Sequence, residues 1–300
     1  ARKNVVTMFM IMLGFTFFSA SMWVGQQLAD GLDFWGFLGS LILGGIILGI
    51  YTGLLGYVGA KTGLSLDLLS QRAFGEKGSY LPSAMTSFTQ IGWFGVGSFV
   101  SGGTATPNFA RFAKNGKSGA ITTVVAFFIG NSLMFFFGAV SSIFVGGNDI
   151  FEVMVRLNLF YLAVLVLGLN IWTTNDNALY TAGLGLANIF HQRKKPMVLL
   201  SGIIGTVASV WLYYNFCGWL NILNCTLPPV GMILVLAYFM NKEDFETDQP
   251  KLKTIDWFAV AGVILGAIVA NLLHWGIASI NGMVVAAVCY CVGQAVNKRK

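Results

Sequence analysis

Asn170-Ile171-Trp172-Thr173-Thr174-Asn175-Asp176-Asn177 lies inside the otherwise apolar run from Leu159 to Tyr180, and the rest of the chain is read around it. Polar groups are costly in hydrocarbon, so amides, hydroxyls and a carboxylate packed this densely belong in a bundle interior or a cavity. Interhelical hydrogen bonding accounts for one or two such residues; the whole run points to a site. On a helix, Asn170, Thr173 and Thr174 stand at i, i+3 and i+4 and share a face. Either the threonines bond back to their own helix, or the Asn170 carbonyl and the two hydroxyls offer hard oxygen ligands to a small cation. Neutral oxygens suit sodium without fixing the ion.

The surrounding sequence is that of a membrane protein. Of 300 residues, 56% are hydrophobic and 10% are charged, with a mean hydropathy of +0.72, whereas soluble domains carry about a quarter charged residues. A soluble enzyme is excluded on that balance. Apolar runs long enough to span the hydrocarbon core cover approximately Val5 to Leu28, Phe34 to Val58, Tyr80 to Gly97, Ser98 to Ala113 and Ile121 to Val145. They continue over Leu159 to Tyr180, Pro196 to Tyr213, Trp219 to Met240, Trp257 to Leu273 and Ile280 to Val296. The expectation is an all-α membrane protein crossing the bilayer about ten times.

The net charge of +6 does not point to nucleic acid, because the basic residues form short clusters between apolar runs instead of one polar face. Arg2 and Lys3; Lys61, Arg72 and Lys77; Arg111, Lys114 and Lys117; Arg193 to Lys195; Lys251 and Lys253; and Lys298 to Lys300 fall at alternate span ends. All are placed on the cytoplasmic side, with both termini there. Asp30, Asp33, Asp149 and Glu152 mark the opposite ends, where Arg156 is the main basic exception. No cleavable signal is expected, since the apolar stretch after Arg2 and Lys3 is too long for one.

Absent features narrow the function. Cys217, Cys225, Cys289 and Cys291 form no CxxC pair and read as packing thiols. His191 and His274 lie at span ends, which excludes a mid-membrane haem or histidine metal cluster. No Walker A motif is present. Asp176 is almost alone as an intraspan carboxylate; it is either a proton-coupling or gating group or a structural one.

Several spans are poor uniform helices. Ser19-Ala20-Ser21 interrupts the first, Ser101-Gly102-Gly103-Thr104-Ala105-Thr106-Pro107 the fourth, and Pro228-Pro229 a later one. Glycine entropy and proline's missing donor disfavour an unbroken helix, and irregular backbone at membrane depth survives only around a protein-lined cavity. Phe17-Phe18-Ser19-Ala20-Ser21 echoes Phe99-Val100-Ser101-Gly102-Gly103. Matched interruptions indicate an inverted repeat with a midplane site, although small residues also serve plain helix packing. Gln90 and Trp93, three residues apart, face the same way. A membrane tryptophan is ordinarily an interfacial anchor; beside an intramembrane glutamine it also offers a flat face and an amide to a neutral planar heterocycle.

At these residues the sequence resembles the nucleobase:cation symporter family, which has a LeuT-type five-plus-five inverted repeat followed by two C-terminal helices. Gly14-Phe15-Thr16-Phe17-Phe18-Ser19-Ala20-Ser21-Met22-Trp23, Gln90-Ile91-Gly92-Trp93-Phe94-Gly95-Val96-Gly97 and Gly168-Leu169-Asn170 through Tyr180 carry the resemblance, which covers almost the whole chain. It implies one transporter domain over 1–300, with helices 1 to 3 of the first repeat in 1–97, helices 6 to 10 in 98–240 and helices 11 and 12 in 241–300. It implies a cytosine importer of the bacterial inner membrane, coupled to Na+, functional as a monomer and without nucleic-acid partners. Trp93 and Phe99 would sandwich the base; Gln90, Ser98 and Asn175 would bond its edge, with Ser101 nearby. The Phe18 and Gly14 carbonyls, the Asn170 carbonyl and the Thr173 and Thr174 hydroxyls would hold sodium.

Relatives have twelve spans, whereas here the third-helix motif ending at Gly97 runs straight into the sixth-helix motif at Ser98. Two helices and their loops, on the order of 90 residues, are missing at ~20 residues per span. Losing an even number of spans leaves the charge pattern intact, but a first repeat without its fourth and fifth helices should not transport. Two alternatives stay open: a related nucleobase or hydantoin carrier using protons through Asp176, and a channel or scaffold in which the broken spans are packing devices.

Overall fold

Short polar caps set the ends of long apolar helices. In the computed structural model, which describes residues 2–16, 19–96, 104–147, 150–247, 249–250, 252–273 and 275–297, the described residues form helices and no strand. In chain order these are α1 (Val5–Thr16), α2 (Ser19–Gly31), α3 (Phe34–Thr62), α4 (Leu66–Phe74) and α5 (Tyr80–Val96). Next come α6 (Pro107–Ala110), α7 (Gly116–Val145), α8 (Ile150–Arg156), α9 (Phe160–Phe190) and α10 (Lys194–Tyr214). The last are α11 (Phe216–Met240), α12 (Lys242–Glu246), α13 (Trp257–Leu272) and α14 (Ala278–Asn297).

The Asp33 carboxylate accepts the Gly36 N–H at 3.0 Å to start α3, and Gly63, at φ 74°, ends it in the left-handed conformation that glycine adopts freely. The Asn115 side chain starts α7 by accepting from Ser118 N–H at 2.8 Å, and Asp256 starts α13 by accepting from Ala259 N–H at 3.2 Å. Five helices, α3, α7, α10, α11 and α14, are long and apolar enough to cross a membrane. Helices α3 and α7 pack closely because small residues meet: a Cβ on Gly56 would strike Thr123 and one on Gly119 would strike Ala60. Close backbone approach of this kind substitutes for the hydrophobic drive that lipid removes.

Eight of the ten expected spans are matched by α3, α5, α7, α9, α10, α11, α13 and α14. The first is described as α1 and α2, on either side of residues 17 and 18, which lie outside the described residues. Within Ser98 to Ala113, only the short α6 and the turn before it are described, so no spanning helix stands there among the described residues. The expected break at Pro228-Pro229 is corrected: α11 runs through both prolines. Pro228 cannot donate to the Asn224 carbonyl, but the Ser279 hydroxyl does so at 3.1 Å, removing the cost that would otherwise open the helix.

The basic clusters gather at one end of the bundle. Arg2 donates to the carbonyls of Ala60 and, at 2.8 Å, of Ala113, and Lys3 N–H donates to Phe112 O at 2.6 Å. Arg72 reaches Asp244 O at 2.7 Å, Lys77 N–H reaches Thr254 O at 2.9 Å, and Lys61 lies 3.8 Å from Glu246. One end of the molecule therefore carries Arg2, Lys3, Lys61, Arg72, Lys77 and Arg111, the arrangement that the alternation of charge requires.

Candidate functional site

Two helices build the centre of the candidate site. On α5, Gln90 and Trp93 are 2% and 4% exposed, and the Gln90 amide nitrogen is buried without a hydrogen-bond partner among the described residues. Trp93 packs in a cluster with Ala178 of α9 and with Trp219, Leu223 and Leu227 of α11. Its ring meets that of Trp219 edge-on, with centroids 4.4 Å apart and planes at 72°. Helices α5 and α9 are pinned by the Ser87 hydroxyl, which donates to Ala182 O at 3.1 Å. Asn175 stands one turn before Ala178, with its amide oxygen buried and unpartnered. Buried polar groups ordinarily find partners inside the protein, so unmatched amides beside a flat aromatic ring suit a polar planar ligand.

Of the expected cation ligands, Gly14 lies on α1 and Asn170 and Thr174 on α9, two helices that are in contact. The Thr174 hydroxyl is 9% exposed and donates to the Asn170 carbonyl at 3.1 Å, the back-bonded geometry that was one of the two sequence alternatives. That bond uses the hydroxyl proton and leaves oxygen lone pairs on both groups. Helix α1 is described as far as Thr16, and residues 17 and 18 lie outside the described residues. The Thr16 hydroxyl serves Leu13 O at 3.0 Å, and Gly14 belongs to the same turn. Among the described residues no group of three His, Cys, Asp or Glu could hold a metal, so a cation here would rest on carbonyl and hydroxyl oxygens. That donor set fits sodium.

Ser98, Phe99, Ser101 and Phe18 lie outside the described residues, as does the Thr173 side chain. Gln90 and Trp93 are both buried on α5, and Asn175 stands on α9 one turn before Ala178, which packs in the Trp93 cluster. Asp176 does not join them: it is exposed, two residues from the buried positions Thr174 and Ala178, on the other side of α9.

The buried carboxylate is instead Asp67 of α4, at 6% exposure, a residue that hydropathy reading passes over because it sits in a short interspan helix. Ser83 donates to it at 2.6 Å, Asn188 donates to Ser83 at 2.9 Å and Gln71 to Asn188 at 2.6 Å, linking α4, α5 and α9. Burial pushes the Asp67 carboxyl up to about 6, against smaller lowering by Ser83, its own backbone and Arg111. At this same basic end, the Arg111 guanidinium donates to the Tyr180 hydroxyl, and the Lys194 ammonium sits 3.8 Å from the Tyr180 ring centroid. The segment that follows the fourth interruption is thereby closed onto α9.

Trp219 is the other residue that sequence reading missed. Placed at the end of an apolar run it resembles an anchor, yet it is 2% exposed. Beside it, a cavity of about 410 Å³ opens between α2, α3, α7, α11 and α14. Leu223 and Leu227 form a wall shared by this cavity and the Trp93 cluster. Its polar lining includes Asn131, whose amide oxygen has no partner, and the Tyr51 and Thr104 hydroxyls, bonded at 2.8 Å.

Comparison with known proteins identifies the family and the fold. The sequence profile of a family described as permease for cytosine/purines, uracil, thiamine, allantoin matches residues 1–105 and 95–296. The cytosine permease of Escherichia coli strain K12 is 37% identical over 393 aligned residues, covering 100% of this chain and 93% of that protein. The allantoin permease of Bacillus subtilis strain 168 is 34% identical over 82 residues, 27% of this chain. Among solved structures, Mhp1, a nucleobase-cation-symport-1 family transporter, superposes in a closed conformation with bromovinylhydantoin bound. That match has TM-score 0.78 and 14% identity, over 98% of this chain and 92% of Mhp1. The inward-facing conformation of Mhp1 gives TM-score 0.79 and 15% identity. The all-helical, LeuT-type architecture expected from the sequence is the one the chain has. The two profile matches meet at 95–105, and the alignment of 393 positions against 300 residues leaves roughly 90 positions of the E. coli protein without a counterpart. Part of the first repeat is missing.

Proposed function

The chain belongs to the family of permeases for cytosine/purines, uracil, thiamine and allantoin, and on that premise we propose that it is a cytosine carrier of the bacterial inner membrane, coupled to sodium. It is a membrane transporter and not an enzyme. The observation that carries the substrate assignment is the buried pair Gln90 and Trp93, an unmatched amide and an indole on one face of α5. Stacking serves any base, while an amide supplies both a donor and an acceptor to the edge of a heterocycle. By family resemblance, Phe99 closes the other side of the base, and Ser98, Ser101 and Asn175 complete the polar contacts.

The co-transported sodium ion would be held by the carbonyls of Gly14, Phe18 and Asn170 and the hydroxyls of Thr173 and Thr174. Of these, Gly14 lies on α1 and Asn170, Thr173 and Thr174 on α9, and α9 also carries Asn175 and Ala178 toward the base. Occupation of either site therefore favours the arrangement that the other needs, and the two affinities must be linked reciprocally. In alternating access, the Arg111 to Tyr180 contact at the basic end parts when the site opens to the cytoplasm, where we place that end and both chain termini. The protein acts as a monomer in this scheme.

A related imide cargo is the second reading, favoured by the hydantoin-bound Mhp1 match and the allantoin permease similarity. Competition of labelled-cytosine binding by unlabelled cytosine, uracil, adenine and hydantoin separates the two. Cytosine should compete at least tenfold more effectively than the others; stronger competition by hydantoin or uracil overturns the assignment.

A further inference from the structure

We propose that Trp219 is a further substrate-binding residue, its indole N–H donating to a carbonyl oxygen on the edge of the planar base that stacks on Trp93. The proposal rests on the stacking role given to Trp93 above.

Trp219 is 2% exposed, and its Nε1 is buried with no acceptor among the described residues. An indole nitrogen can only donate, so no local rotation or change of tautomer satisfies it, and a buried donor left unpaired is costly. Its position is tightly fixed. Any side chain at Gly92 would collide with the six-membered-ring edge of Trp219, and Cε2, the atom bonded to Nε1, is among the nearest to that glycine. The N–H therefore lies beside the stretch of α5 between Gln90 and Trp93.

Trp219, Leu223 and Leu227 recur at i, i+4 and i+8, one face of α11, and all three pack into the Trp93 cluster. That face is turned to the site, unlike an interfacial anchor, which sits at headgroup level. The contact with Trp93 is edge-on, so the two rings stand across each other and do not stack. Two buried donors, Gln90 Nε2 and Trp219 Nε1, then flank the base, and a stacked heterocycle presents its carbonyl oxygen in the ring plane, at the edge such donors can reach.

The test pairs one substitution with one missing ligand group. Trp219→Phe keeps a ring edge in the Gly92 notch and removes only the donor. 4-Aminopyrimidine retains the amino group and ring nitrogens of cytosine and lacks its carbonyl. Dissociation constants for both are measured by equilibrium dialysis on the purified full chain in nanodiscs at fixed sodium. Trp219→Phe should weaken cytosine about fivefold or more and leave 4-aminopyrimidine within about twofold. Equal losses for the two ligands, or none for cytosine, overturn the proposal. If the unaltered chain binds no cytosine, the substrate reading itself fails and takes this inference with it. Should the variant not fold, the unaltered protein labelled with 15N-tryptophan decides: an indole N–H resonance should move downfield with cytosine and stay with 4-aminopyrimidine, and identical responses to both contradict the contact.

Discussion

Ser279 Oγ lies 3.1 Å from the carbonyl oxygen of Asn224, the acceptor that Pro228, four residues on, leaves without an amide donor. This bond from the start of α14 satisfies the carbonyl freed by Pro228 within a helix that runs through two prolines. The α11 segment that it steadies carries Trp219, Leu223 and Leu227 against Trp93, so the support reaches the candidate site through a rigid helix.

Removing that hydroxyl should loosen α11. Ser279→Ala is expected to cost about 1 kcal/mol and to lower the melting temperature in detergent by roughly 2–4 °C; Ser279→Thr should recover most of it. An unchanged melting curve for the alanine variant would show that the Asn224 carbonyl needs no such donor.

Stacking on Trp93 has its own signature. Trp93→Ala should weaken cytosine binding by ~10-fold to ~100-fold, since a base on an aromatic face contributes about 1–3 kcal/mol, and Trp93→Phe should retain part of that. Cytosine affinity that survives the alanine substitution removes the stacking assignment.

Asp67 makes stability depend on pH. Its folded pKa, about 6 against the ordinary 3.8, means that the folded state binds more protons between those values, so stability falls as pH rises from about 4 to about 6 and then levels off. A shift of this size corresponds to ~3 kcal/mol at most. Unfolding followed from pH 4 to pH 8 should show the decline, and Asp67→Asn should flatten it; a decline that persists in the variant assigns it elsewhere.

Thr174→Val tests the ion site. The substitution keeps the volume and removes the hydroxyl that touches Asn170 O. Cytosine affinity without sodium should stay within about twofold, while its dependence on sodium should drop by roughly tenfold, the scale of one lost charge-assisted contact. Undiminished linkage excludes Thr174 as a ligand.

The missing stretch allows a gain of function. Inserting the E. coli cytosine permease segment that has no counterpart here between Gly97 and Ser98 should raise sodium-dependent accumulation of cytosine in proteoliposomes well above that of the 300-residue chain. Equal accumulation by the two would show that alternating access does not require those helices.

Much of this was legible from residue types because hydrocarbon penalises polar groups so heavily. The run Asn170 to Asn177 and the pair Gln90 and Trp93 stand out for that reason, and Thr174, Gln90 and Trp93 are buried. Pro228-Pro229 misled because a local rule cannot see Ser279, about fifty residues away along the chain. Trp219 and Asp67 were invisible for a related reason: a tryptophan at the end of an apolar run and an aspartate in an interspan helix look ordinary until tertiary packing buries them. Asp176 shows the converse, since a carboxylate within a span can lie on the exposed face of its helix.

The central claim is that one site binds cytosine and is linked to sodium. Cytosine binding to the purified chain, titrated at increasing sodium with choline held complementary, measures that linkage directly. The account predicts saturable binding that tightens with sodium by a factor on the order of ten, within the usual range of coupling energies. Binding indifferent to the exchange of sodium for choline, or no cytosine binding at all, would contradict it.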